Sequence, residues 1–244
     1  FDLTQKNLFV ALLTGATVVL HETEVYDPRE IANIIEEQRI TLLNCAPSAF
    51  YPLVEGAHSA KLTSLRCVLF GGEPIALNRL APWLERDDFN CTLVNMYGPT
   101  ECTDIATSCV LKPDDALALL NSEQPVPLGS PYPGVNIAVC NEQLQQLPMG
   151  FVGELCIHGA SVGAGYWQRD DLTKAHFVEA NFAQGKLYKT GDLAQYRQDE
   201  SGNWQLYYIG RKDFQVKLHG LRIELGDIEQ ALKQLPNVRD SYVL

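Results

Sequence analysis

Asn95-Met96-Tyr97-Gly98-Pro99-Thr100-Glu101 follows the apolar run of residues 91–94. The run reads as a buried strand. Gly98 and Pro99 then force a turn, since glycine accepts positive φ and proline fixes φ. A strand that stops in such a turn presents its last side chains at the carboxyl edge of a sheet, where open α/β sheets bind ligands. The stretch offers a ring for stacking, an amide for the edge of a base, and a hydroxyl beside a carboxylate for a hard cation such as Mg2+. Taken alone, these residues fit a tight turn with a capping Thr equally well.

Upstream, helix and strand patterns alternate. Residues 7–13 read as a buried helix stopped by Gly15, followed by a strand over residues 16–20. Asp27-Pro28-Arg29-Glu30 is a helix start, with an N-cap, a proline in the first turn and a glutamate reaching back. Strands are predicted over residues 40–44, 65–70 and 91–95, with a helix over residues 77–86. The alternation predicts a doubly wound, mostly parallel sheet in an α/β subdomain spanning residues 1–125. Right-handed crossovers place its strand carboxyl ends on one side.

Downstream, the pattern changes at Pro125-Val126-Pro127. Glycine-punctuated strands over residues 135–139, 153–158, 187–189, 194–197 and 205–209 predict a β-rich, barrel-like or antiparallel subdomain over residues 126–212. Residues 213–244 read as the start of a small α+β domain. It holds a strand over residues 214–218, a turn at Gly220, a strand with Arg222 and Ile223, and a helix from Leu225 to Leu235 stopped by Pro236. Leu225, Ile228, Leu232 and Leu235 give that helix one apolar face.

The chain has 244 residues, 46% hydrophobic and 20% charged, with a net charge of −11. That length carries a sizeable core, and the acidic balance disfavours nucleic acid or an anionic membrane as partner. No apolar run approaches the ~20 residues of a membrane span. Seven cysteines without a CxxC pair read as buried thiols in a reducing, cytoplasmic setting, with neither zinc nor a disulfide framework. The chain opens on Phe1 and stops inside apparent structure at Val243-Leu244, as a fragment would.

Four further stretches are dense in glycine and polar residues: Gly153-Glu154-Leu155-Cys156-Ile157 leading to Gly159 and Gly163-Ala164-Gly165-Tyr166; Tyr188-Lys189-Thr190-Gly191-Asp192-Leu193; Gly210-Arg211-Lys212-Asp213-Phe214-Gln215-Val216-Lys217; and His219-Gly220-Leu221-Arg222-Ile223-Glu224-Leu225-Gly226-Asp227-Ile228-Glu229. The first is weak as a phosphate loop, because no helix pattern opens on its glycines, and close backbone packing between strands explains it better. Together with Phe1-Asp2-Leu3-Thr4 and the opening stretch, the series resembles the adenylate-forming superfamily in order and over nearly the whole chain. The resemblance is closest to the amino-acid-activating adenylation domains of nonribosomal peptide synthetases.

That resemblance implies an ATP-dependent ligase that makes an aminoacyl-adenylate with Mg2+ and loads it onto the phosphopantetheine thiol of a peptidyl carrier domain, with a condensation domain in the same chain. Asn95 would meet the adenine edge and Tyr97 its ring. Thr100 would lie by the α-phosphate, and Glu101 would hold the metal. Asp192 would accept the ribose hydroxyls, Tyr208 would lie against the ribose, and Arg211 would reach ribose or phosphate. Gly71 and Gly72 would let the backbone approach. Asp2 would bind the substrate ammonium, and its absence from members that use acids without an amine makes Asp2→Ala the discriminator against an acyl- or aryl-CoA ligase. The pocket would be lined by Asp2, Leu3, Lys6, Asn44, Leu69, Gly71, Met96, Asp104 and Ile105. Its polar members favour a polar substrate side chain, unless Lys6 simply neutralises Asp104. Asp213 would be a hinge.

For several of these residues a plainer role competes. Asp2 suits an N-cap, Asp192 a turn cap, Arg211 a surface ion pair and Asp213 a solvated turn. The family's phosphate loop lies upstream of this sequence and its catalytic lysine beyond it, so the fragment alone is expected to be a poor catalyst. A non-catalytic nucleotide-binding module is the rival from another class, separable by calorimetry with ATP and a carrier protein.

Overall fold

In the computed structural model, alternation along three parallel strands sets the first sheet. The structure describes residues 3–21, 25–199, 201–213, 215–218, 221–235, 237–238, 241 and 243. The first part of the chain runs α1 (Leu3–Thr14), α2 (Pro28–Glu37), β1 (Leu42–Cys45), α3 (Pro47–Val54), β2 (Cys67–Gly71), α4 (Leu77–Leu84), β3 (Thr92–Tyr97), β4 (Thr107–Leu111), α5 (Pro113–Ser122) and β5 (Ser130–Pro131). The sheet order is β1-β2-β3-β4-β5. Val68, Phe70 and Leu93 point to one face and pack with Ile35, Phe50, Leu80 and Trp83 of the helices. Leu69 and Met96, one step out of phase, point to the other face. There α1 meets the sheet, with Asn44 Nδ2 donating to Asn7 Oδ1 at 3.0 Å.

The parallel expectation holds for β1, β2 and β3. It fails at β4, which returns antiparallel with Tyr97 opposite Thr107. The connection over residues 98–106 is too short for a parallel crossover, and Ala106 N donates to Tyr97 O at 2.8 Å to close it. Residues 16–20 are not a strand. Among the described residues no neighbour offers them a ladder. The helix over residues 7–13 exists, but it is not buried. Phe9 is 55% exposed and Leu13 83%, because α1 is apolar around most of its circumference and the sheet covers only its Lys6–Asn7 side. Asp27 caps α2 through Arg29 N at 2.9 Å as expected, while Glu30 lies 3.3 Å from His21.

The second part runs β6 (Val135–Cys140), β7 (Val152–Gly159), α6 (Asp170–His176), β8 (Phe177–Val178), β9 (Leu187–Gln198), β10 (Trp204–Arg211), β11 (Gln215–Leu218), β12 (Leu221–Glu224) and α7 (Leu225–Lys233). Its main sheet is antiparallel, in the order β10-β9-β7-β6, with β8 on β9. Among the described residues this ladder ends at β6 and β10, so it is an open sheet and not a closed barrel. The two strands expected over residues 187–197 are one long strand, β9. Phe214, Gly220 and Pro236 lie outside the described residues.

A second core joins the two sheets. Tyr97, Cys102 and Ala106 from the end of β3 and its turn pack with Leu155, Ile157, Phe177, Tyr188, Ala194 and Leu206. The segment between the sheets is stitched to both. Leu128 N donates to Leu206 O at 2.7 Å, and Asn95 Nδ2 donates to Pro127 O at 2.8 Å.

Candidate active site

The carboxyl end of β3 meets β9 and β10 of the second sheet. Tyr97 closes β3, and its hydroxyl donates to Asp192 Oδ2 at 2.6 Å. Burial, then the facing Asp192 carboxylate, push the Tyr97 phenol well above its ordinary value, so it keeps its proton. Asp192 Oδ1 accepts Arg211 Nη1 at 2.9 Å. The two residues face each other in the β9–β10 ladder. The same Nη1 donates to Thr190 O at 2.9 Å, and the far side of the guanidinium forks onto Asp213 at 2.8 and 2.6 Å. Burial opposes charge on Arg211, but Asp213 and Asp192 outweigh it and raise its pKa. At 3% exposure Asp192 is a buried anion with a cation and a phenol on its two oxygens.

The turn over residues 190–192 shapes this contact. Thr190 Oγ1 accepts Asp192 N at 3.0 Å and donates to Leu155 O at 2.6 Å. Gly191 has φ +73°, and a Cβ there would stand 2.7 Å from Arg211 Nη2, so the guanidinium needs the glycine. Gly191 N donates to Glu154 Oε1 at 3.1 Å, and Glu154 Oε2 lies 3.7 Å from Lys212 Nζ. Tyr208, on β10, is half-buried beside this network. Burial, then Asp192, raise its phenol.

Gly98 serves differently from its sequence reading. It has no positive φ. A Cβ there would come within 2.4 Å of Asp104 O and 2.6 Å of Ala106 N, so the requirement is close backbone approach. After Pro99, residues Thr100–Cys102 form one 3-10 turn, and Thr103 and Asp104 take positive φ. This turn carries Glu101 to Tyr166, whose hydroxyl donates to Glu101 Oε1 at 2.5 Å and stands 3.3 Å from the Tyr188 hydroxyl on β9. Glu101 therefore reaches β9, the strand that carries Asp192, through Tyr166 and Tyr188.

The predicted pocket residues gather on the α1 side of the first sheet. Asn44 pairs with Leu69, and Gly71 with Met96, in adjacent registers on one face. Lys6 of α1 donates to Asp104 in a mostly buried ion pair. Asn44 meets Asn7, a residue the sequence reading did not single out. Lys6 and Asp104 thus neutralise each other, the case in which these two residues give no preference for a polar substrate side chain. Ile105 is half-buried in the turn beside Asp104, and Gly72 has φ +87° just past β2. Leu3 is the first residue of α1. Asp2 lies outside the described residues.

The donor chemistry bears on a cation. Thr100 and Glu101 are hard oxygen donors on one turn. Among the described residues no cluster of three or more His, Cys, Asp or Glu side chains could hold a metal. That pattern fits Mg2+, which uses one or two carboxylates together with substrate phosphates, and does not fit a protein-only cage. Thr190, Glu154, Tyr166 and Tyr188 had no assigned role before the structure, although all four lie in the glycine-rich and polar stretches quoted above.

The family described as AMP-binding enzyme matches residues 1–167. Gramicidin S synthase 2 of Brevibacillus brevis is 36% identical over 249 residues, covering 100% of this chain and 5% of that protein. Surfactin synthase subunit 3 of Bacillus subtilis (strain 168) is 36% identical over 246 residues, covering 100% of this chain and 18% of its own length. The chain thus spans only a small part of these relatives. The solved structure of holo-PA1221, a nonribosomal peptide synthetase protein with adenylation and carrier domains bound to a vinylsulfonamide inhibitor, superposes with a TM-score of 0.84 at 32% identity. It covers 98% of this chain and 40% of that one.

Proposed function

The chain belongs to the AMP-binding enzyme family, and we propose that its protein activates an amino acid with ATP and passes it to a carrier-domain phosphopantetheine thiol. The amino-acid carboxylate attacks the α-phosphorus, the bond to pyrophosphate breaks, and an aminoacyl-adenylate forms. The thiol then attacks the acyl carbon and AMP leaves. The observation that carries this reading is the Tyr97–Asp192 bond. It joins the end of β3 to β9, so a ring and a carboxylate stand side by side where a nucleoside would offer a base and a diol.

In this reading Asn95 and Tyr97 take the base, and Gly71 and Gly72 let the backbone come close. Asp192 takes the ribose hydroxyls. It has roughly four acceptor positions, and Tyr97 and Arg211 use two of them. Tyr208 lies along the sugar, and Arg211 reaches sugar or phosphate. Thr100 and Glu101 serve the α-phosphate, with Glu101 holding Mg2+. When bound, the ion neutralises phosphate charge. Asp2 takes the substrate ammonium, within a pocket of Leu3, Lys6, Asn44, Leu69, Gly71, Met96, Asp104 and Ile105. Residues 1–125, 126–212 and 213–244 act as three parts, with Asp213 as the hinge between adenylation and thioester formation.

The test is amino-acid-dependent exchange of labelled pyrophosphate into ATP by the full-length protein. One or a few amino acids should support it. Silence with all twenty standard amino acids, under conditions where the protein is folded, overturns the reading.

A further inference from the structure

The glycine-rich stretch of residues 159–166 found no chemical role in the sequence. In the structure it grips the turn that carries Glu101 at three points. Thr103 Oγ1 donates to Ser161 O at 2.8 Å, Gly163 N donates to Glu101 O at 2.8 Å, and the Tyr166 hydroxyl donates to Glu101 Oε1 at 2.5 Å. A Cβ at Gly163 would come within 3.1 Å of Glu101 O, so the backbones meet at van der Waals limits. The stretch is itself anchored. Tyr166 N donates to Thr173 Oγ1 on α6 at 2.9 Å, and Lys186 Nζ donates to Ala164 O at 2.6 Å. The Tyr166 ring packs edge-on against Phe177.

We propose that Tyr166 is a positioning residue that sets the orientation of the Glu101 carboxylate toward a divalent cation, with Tyr188 as its support. A carboxylate only accepts, so Tyr166 spends its one proton on Glu101. The 3.3 Å contact with Tyr188 then runs from the Tyr188 hydroxyl to the Tyr166 oxygen. Tyr188 is fully buried, so this donor is held in place. The bond fixes one oxygen of Glu101 and the plane of its carboxylate, as partners behind metal-binding carboxylates do elsewhere.

The proposal rests on Glu101 being the cation-holding residue, and the experiment separates the two. In the full-length protein with a non-hydrolysable ATP analogue, Mn2+ binding is titrated by electron paramagnetic resonance, and the Mg2+ dependence of pyrophosphate exchange is measured alongside. Glu101→Ala should abolish the tight Mn2+ signal. Tyr166→Phe should weaken Mn2+ about 10-fold and raise the Mg2+ requirement in parallel, while the KM for the amino acid stays unchanged. Tyr188→Phe, which keeps the packing and removes the supporting donor, should weaken Mn2+ by a smaller factor. Unchanged Mn2+ affinity in Tyr166→Phe, with Glu101→Ala defective, overturns the positioning role alone. Unchanged affinity in Glu101→Ala overturns the metal role of Glu101 and the proposal with it. Should Tyr166→Phe not fold, Tyr188→Phe decides, and wild-type affinity there overturns the proposal.

Discussion

Replacing Arg211 by Met leaves Asp192 as a buried anion with Tyr97 as its remaining side-chain donor. The guanidinium gives four hydrogen bonds, to Asp192, to Thr190 O and two to Asp213. The Asp213 fork counts for little, because that carboxylate is 47% exposed and the pair is screened by water. Asp192 decides the outcome, with its side chain 4% exposed against 12% for Arg211. Removing one partner of such a pair costs about 3 kcal/mol or more. Hydrogen exchange followed by mass spectrometry reads this locally in the intact protein. A loss of about 3 kcal/mol speeds exchange of the β9 amides roughly 150-fold. Asp192→Asn removes the negative charge that faces the buried Arg211 and should cost a comparable amount. The double variant should cost clearly less than the sum, with a coupling of about 2 kcal/mol. A coupling below about 0.5 kcal/mol would mean that water screens the pair in solution and that Asp192 does not depend on Arg211.

Gly98→Ala drives a methyl into Asp104 O and Ala106 N; thermal unfolding should register a loss of about 3 kcal/mol, and a shift within error excludes the close-approach role. Burial, aided by Cys67 for Cys91 and by Glu101 for Cys102, pushes both thiols from 9.0 to about 12. Above about pH 9 the unfolded thiols ionise and the folded ones do not, so stability is fully present below pH 9 and is lost as pH rises toward 12. The expected slope is about 1.4 kcal/mol per pH unit per thiol, and denaturation midpoints that stay level up to pH 10 contradict it. Lys6→Ala leaves Asp104 without its cation; pyrophosphate exchange with Lys or Arg as substrate should rise on the order of 10-fold relative to the wild-type preference, and an unaltered profile places that ion pair outside the pocket.

Much of the fold was legible because burial writes itself into short-range pattern. The runs at β1, β2 and β3 are apolar enough to be strands without any partner in view, and Asp27-Pro28 marks the start of α2 chemically. The failures have one cause. Residues 16–20 are β-branched and apolar, yet a strand exists only where a neighbour supplies hydrogen bonds. Residues 7–13 are as apolar as a buried helix, yet exposure depends on what lies over them. The return of β4 antiparallel to β3 depends on how residues 98–106 fold, and no periodicity records that. Among the candidate site residues, the motifs pointed to stretches that the fold brings together at the end of β3 and along β9 and β10. Tyr166 closes a glycine-rich run, but nothing local says that its hydroxyl points at Glu101.

Most element types and the turn at the end of β3 follow from the order of residues alone, through two-residue alternation, proline's fixed φ and helix-start chemistry. It took the packing of the two sheets to pair Tyr97 with Asp192, 95 positions apart, to set Lys6 against Asp104, and to lay the glycine-rich loop on the Glu101 turn. Such pairings depend on where two sheets cross and how closely their backbones approach, and alternation along one strand carries no information about the strand that will lie against it.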